Sequence, residues 1–259
     1  MVVLKFIVLS NLERDLLAKS GVRPSKVVVI PNGIKAVENE KDDYKSIHQD
    51  AVGGGDYILC LCRFARYKNL ELLVRAFRTI GTSTKLVIAG RVSDDAYFLE
   101  LKKIAAADDR IVILRDIPEE VKRRLYLGCM FFVLPSAAET SPLSIIEAMT
   151  MAKPVIACNA GAISELVLHG ENGLLFNPSD SVNLRHMMEY LLEDAVPRET
   201  MGRKSLEMVQ DRTWERVSQM TLRVFREIEG QSLTKGGYSM RFRGLGCGVR
   251  KLGGYPEME

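Results

Sequence analysis

The chain has 259 residues, enough for one large or two modest domains, with 47% apolar and 27% charged residues. That balance excludes a disordered or fibrous chain and permits a sizeable core. The net charge of +3 is too small to argue nucleic-acid binding.

The first run, Met1–Leu9, carries Lys5 in its middle and no small-residue cleavage site. It is too short to span a bilayer and reads as a buried strand. Further strand-like runs are Lys26–Ile30, Tyr57–Cys62, Lys85–Ala89, Ile111–Leu114, Met130–Leu134, Pro154–Ala157 and Gly173–Leu175. Between them lie helical patterns at Leu12–Ser20, Leu70–Ile80, Asp94–Ala106, Pro118–Gly128, Leu143–Met151 and Ser181–Glu193. Apolar strands spaced by helices predict an α/β fold, a Rossmann-like parallel sheet with helices on both faces. Val37–Asp56 is polar with a Gly53–Gly55 run and reads as a flexible loop. Two more helices, about Pro197–Gln210 and Thr213–Glu229, have no strand between them. From Gly230 the chain is glycine-rich and basic without a period, as expected of a flexible tail. Basic residues in Arg241–Lys251 offer peripheral contact to anionic lipid, weighed against a solvated tail.

Five cysteines, Cys60, Cys62, Cys129, Cys158 and Cys247, are odd in number and show no metal-site spacing. Most sit in or beside apolar runs, where a thiol behaves as a small hydrophobe. This usage implies a reducing, cytoplasmic compartment.

Two glutamates, Glu139 and Glu147, follow the strand Met130–Leu134. One falls in the loop after the strand, the other about a turn inside the next helix. Ligands of α/β sheets bind at the carboxyl ends of strands, and helix N-termini attract anions. Two acids with free amides between them suit a ligand with hydroxyls at both ends and phosphates in the middle, as in a nucleotide-sugar. The plain alternative is a pair of helix-start acids favoured by the helix dipole.

Several further blocks surround this pair. Pro31-Asn32-Gly33 closes a strand. Arg63 follows the strand Ile58–Cys62, and Lys68-Asn69 precedes a helix. Leu86–Gly90 is a strand ending in glycine. Ala148–Ala157, Gly161–Glu165 and Gly170–Pro178 complete the series. Together they resemble the nucleotide-binding half of retaining GT-B glycosyltransferases of family 4, over about Leu9 to Phe225. Each block alone has little specificity; the series in this order is specific.

The resemblance implies roles for matching positions. Glu139 corresponds to the first acid of the E-x7-E signature, on donor-sugar hydroxyls, and Glu147 to the second, on the ribose. Arg63 and Lys68 correspond to the basic pair on the donor diphosphate, one a fork and one a point charge. These cations mean that no metal is required, and the chain has no Asp-x-Asp motif. Gly90, Ser141, Pro142, Leu143 and Ser144 line the donor, the last two through helix-start amides. Arg115 to Ile117 matches the segment that holds the base by main-chain contacts.

The chain also departs from the family pattern. Ser141-Pro142-Leu143 stands where Phe-Gly-Leu is commonest, and proline has no amide to donate, although its fixed φ suits a helix N1 position. Val92 replaces a second glycine after Gly90. Gly161-Ala162 replaces a glycine pair.

The expected organisation is a remnant of an acceptor domain and linker over residues 1–25, the nucleotide-sugar domain over 26–212, a crossover helix over 213–229 and a tail over 230–259. The resemblance implies an acceptor domain of roughly 150 residues that this stretch of sequence does not include. The expected function is transfer of a hexose-type sugar from a nucleotide diphosphate to a glycan, lipid or small-molecule acceptor, at the cytoplasmic face. The alternative is a non-catalytic or incomplete subunit that needs a separate acceptor-domain chain.

Overall fold

The strands of the main sheet form because their runs are apolar on both faces. In a computed structural model, residues 5–35 and 52–234 are described, the last four as backbone only. Most of the Val37–Asp56 loop, and the basic segment Arg241–Lys251, lie outside the described residues.

Six parallel strands make the sheet: β3 (Tyr57–Leu61), β4 (Lys85–Gly90), β5 (Ile111–Arg115), β6 (Phe132–Leu134), β7 (Val155–Cys158) and β8 (Gly173–Phe176). Their spatial order is β5-β4-β3-β6-β7-β8. The chain thus builds outward from β3 through β4 to β5, then returns to the other side of β3 with β6. β3, β6 and β7 are buried at every position. A strand covered on both faces by helices must be apolar throughout, and these are.

The connecting helices are α2 (Leu70–Arg78), α3 (Asp95–Ala105), α4 (Glu119–Gly128), α5 (Leu143–Thr150), α6 (Ser181–Glu193) and α7 (Ala195–Val209). α2 packs on α3 and α6, and α5 packs on α7. Aspartates start three of them: Asp94, Asp180 and Asp194 accept from the amides of Tyr97, Asn183 and Val196, satisfying donors that a helix start leaves open. The α7 helix begins two residues before Pro197, which is tolerated because first-turn amides need no intrahelical acceptor.

The run Lys26–Ile30, expected within the nucleotide-sugar domain, does not join the main sheet. β1 (Phe6–Val8) and β2 (Val27–Val29), joined by α1 (Asn11–Lys19), pair only with each other. The final helix, α8 (Trp214–Thr234), runs through Gly230 to residue 234, so the expected start of a tail at 230 falls inside a helix. Among the described residues no helix is long and apolar enough to cross a membrane.

The two parts are stitched by a carboxylate. Glu165, in the turn after β7, accepts from the amides of Asn11 and Leu12 and from the Asn11 side chain, at 2.8–2.9 Å. It therefore supplies acceptors to the open start of α1 from more than 150 residues away. Partial burial pushes its pKa up, but the hydrogen bonds from Asn11 and Leu12 outweigh that and hold it below the ordinary 4.5. A depressed pKa means that this contribution is present above about pH 4.5 and is lost as pH falls through the folded value.

Glu165→Ala is accordingly expected to cost about 1 kcal/mol in urea unfolding near neutral pH. The difference from wild type should shrink as pH falls below 4.5; a pH-independent difference would rule out the carboxylate cap. In native-state hydrogen exchange, α8 and β1 should open first. Val224 is the one fully buried side chain of α8 among residues 214–230, while Trp214, Leu222 and Phe225 are exposed, and β1 buries none. Protection of both equal to that of β3 would contradict this.

Candidate functional site

The reversal of strand order between β3 and β6 opens a crevice above their carboxyl ends, where doubly wound sheets bind ligands. Two loops meet there. The loop after β3 carries Arg63, a short 3-10 turn (Arg66–Lys68) and Asn69. The loop after β6 carries Ser136 to Pro142. Tyr67 joins them, since its carbonyl accepts from the Ala137 amide at 3.0 Å and lies 3.4 Å from the Ser136 hydroxyl.

This seam places Lys68 against Glu139, and the two form an ion pair. Their side chains are only 10% and 12% exposed. The Lys68 ammonium also lies 4.9 Å from the centre of the Tyr67 ring. Arg63 is exposed, and its guanidinium donates to the Tyr67 hydroxyl at 2.8 Å. Tyr67 thus lies against both Arg63 and Lys68, and Lys68 meets Glu139. Sequence reasoning missed Tyr67, because an aromatic between two cations has no spacing signal of its own.

The backbone of Glu139 is backed from behind. Its carbonyl accepts from the Ala162 amide at 2.8 Å, and a Cβ at Gly161 would sit 2.1 Å from that carbonyl oxygen. Gly161 also has φ of +61°, which favours glycine. Gly90 plays a similar part at the end of β4, where a Cβ would meet the Cys62 carbonyl oxygen at 1.8 Å. Its need for glycine comes from the close approach of the β3 and β4 chains. Val92 bridges Phe64 and packs on the core.

Helix α5 starts at the crevice. Pro142 is its N-cap rather than its first helical residue, and no side chain caps it. The Pro142 carbonyl takes the amides of Ile145 and Ile146. The amides of Leu143 and Ser144 make no hydrogen bond among the described residues, leaving donors for an anion. The Asn32 side chain holds the preceding loop through the Ser141 carbonyl at 3.0 Å.

One turn into α5, Glu147 lines a cavity of about 470 Å³ between α4, α5, the Gly33–Lys35 segment and Trp214. Its two oxygens have separate partners: Lys122 Nζ at 2.8 Å and the Tyr126 hydroxyl at 3.0 Å. Burial pushes Lys122's pKa down, but Glu119 and Glu147 push it up by more, so it stays a cation. Burial, with the charge of Glu147, holds the Tyr126 hydroxyl protonated. Neither residue was singled out from the sequence.

The segment expected to face the base leaves β5. The Arg115 guanidinium sits 5.6 Å from the Phe98 ring centre and 3.2 Å from Asp116, so its side chain turns along the surface. Asp116 has φ of +50°, with its amide on the Gly90 carbonyl at 2.8 Å. Ile117 packs against the core. What this segment can offer a base is therefore main chain. The cysteines supply no nucleophile here: Cys60, Cys62, Cys129 and Cys158 are buried and free. The hydrogen bond with Cys62, then burial, raises Cys60 far above the ordinary thiol range.

Known proteins share this fold. HepE of Anabaena in complex with UDP-glucose superimposes with a TM-score of 0.79 at 22% identity, covering 86% of this chain and 64% of that one. Sucrose-phosphate synthase of Thermosynechococcus elongatus gives 0.75 at 24% identity, covering 87% and 58%. Among curated sequences, an uncharacterised glycosyltransferase of Methanocaldococcus jannaschii is 24% identical over 79% of this chain and 54% of its own length. A D-inositol 3-phosphate glycosyltransferase of Pseudarthrobacter chlorophenolicus is 28% identical over 65% and 42%. The chain spans about half the length of the curated relatives it matches. The sequence profile described as glycosyl transferases group 1 matches residues 43–208. With most of the chain inside that match and the fold of such enzymes around the crevice, the protein belongs to the group 1 glycosyltransferases.

Proposed function

We propose that this domain binds the nucleotide-diphosphate sugar of a retaining, family 4-type glycosyl transfer. The observation that carries the reading is the meeting of the Lys68–Glu139 pair, Arg63 and the open amides of α5 at the point where strand order reverses. The donor would lie across it with the sugar at Glu139, the diphosphate over Arg63, Lys68 and the Leu143 and Ser144 amides, and the ribose at Glu147. The base would rest on main chain of residues 115–117.

In this reading the bond from the sugar C1 to the diphosphate oxygen breaks. Arg63 and Lys68 stabilise the negative charge that grows on the leaving diphosphate. The reading invokes no metal: Arg63 and Lys68 are the cations that meet the diphosphate. An acceptor hydroxyl then bonds to C1 from the face the diphosphate left, and its proton passes to the departing diphosphate oxygen. Glu139 orients the sugar, and its ion pair with Lys68 fixes both groups before the donor arrives. Uridine is the first base to test, since HepE was solved with UDP and with UDP-glucose. The acceptor, a glycan, lipid or small molecule, enters from a second domain facing the strand ends, on the same or a separate chain.

Calorimetric titration with UDP, GDP and ADP is expected to give saturable binding to at least one. Arg63→Ala and Glu147→Ala should each weaken it about tenfold or more, that is, by at least ~1.4 kcal/mol. Failure of all three nucleotides to bind, or undiminished binding by both variants, would overturn the assignment.

A further inference from the structure

Glu147 is gripped from one side by a single face of α4. Lys122 and Tyr126 are four residues apart, so their side chains leave the helix on the same face. That face meets Glu147 on α5, with the ammonium on one carboxylate oxygen and the phenol on the other. Lys122 is itself anchored one turn back by Glu119 at 2.6 Å, and Tyr126 is 1% exposed and packs against Phe132. The carboxylate therefore cannot turn without breaking a hydrogen bond at one end.

A carboxylate has about four acceptor sites, two on each oxygen. Lys122 and Tyr126 take one on each. What remains is one acceptor site on each oxygen of a carboxylate that lines the cavity. Two adjacent hydroxyls on the same side of a ring present the matching pair of donors. An isolated hydroxyl uses only one of them.

We infer that Lys122 and Tyr126 are positioning residues that set Glu147 to recognise a cis-diol, making the site selective for ribo- over deoxyribonucleotide donors. This rests on the proposal above that Glu147 meets the ribose, and it adds what makes that contact selective. Both residues border the same cavity, and the role assigned to them is exerted through the carboxylate that they hold.

The test compares UDP and GDP with their 2′,3′-dideoxy analogues by calorimetry on the full chain. For whichever base binds, wild type should prefer the ribonucleotide about tenfold or more. Lys122→Met and Tyr126→Phe should each lower that ratio severalfold, chiefly by weakening the ribonucleotide. Lys122→Arg, which keeps the charge and a donor, should restore most of it. Glu147→Gln should bring the ratio close to one. If the Lys122→Met and Tyr126→Phe proteins bind both analogues more weakly in equal measure, the two residues are structural only and the inference fails. If Lys122→Met does not fold, the Tyr126→Phe ratio decides alone. A wild-type ratio near one, or a ratio unmoved by Glu147→Gln, would instead remove the ribose assignment of Glu147.

Discussion

The return of the chain from β5 to the far side of β3 is the constraint on which the rest of the molecule depends. It puts β3 and β6 side by side at the centre of the sheet while their outgoing loops diverge. Neither loop could form the crevice alone. Lys68 comes from one and Glu139 from the other, and the seam through the Tyr67 carbonyl holds the loops in register. Around the crevice, glycine is required where backbones approach closely, at Gly90 behind the β3 loop and Gly161 behind the β6 loop.

The Lys68–Glu139 pair has an energetic meaning apart from binding. Both groups are largely withdrawn from water. Desolvation of such charges offsets much of their attraction, so the pair adds little net stability, yet removing one partner strands a charge. Loss of either side chain therefore perturbs folding along with the proposed donor contact. Arg63 and Glu147 are cleaner places to read binding, since Arg63 is exposed and Glu147 opens on a cavity.

Much of this was legible in the sequence. The apolar runs over β3, β4, β6 and β7 are buried on both faces, so their periodicity has no competing reading. The residues proposed to meet the donor, Arg63, Lys68, Glu139 and Glu147, stand at strand ends and a helix start, and fixed offsets mark such places. The illegible parts are tertiary. Lys122 and Tyr126 form an ordinary i, i+4 pair in a charged helix, and nothing local shows that Glu147 on another helix faces them. The isolation of β1 and β2 depends on partner choice, which an apolar run does not encode. The extension of α8 past Gly230 follows from a single glycine costing a helix only about 1 kcal/mol. Pro142 fits either the N-cap or the first helical position by its φ, and the loop held by Asn32 places it at the cap.

The five residues from Gly161 to Glu165 serve two parts of the molecule at once. Gly161 and Ala162 press on the backbone of Glu139, and Glu165 holds the first turn of α1. Along the chain, the backstop of Glu139 and the anchor of the amino-terminal segment are a single turn apart. That stretch can neither be lengthened nor given a side chain at its first position without moving Glu139, α1 or both. For anyone grafting this domain onto another, the junction must carry Ser10 to Leu12 and residues 161–165 as one inherited unit.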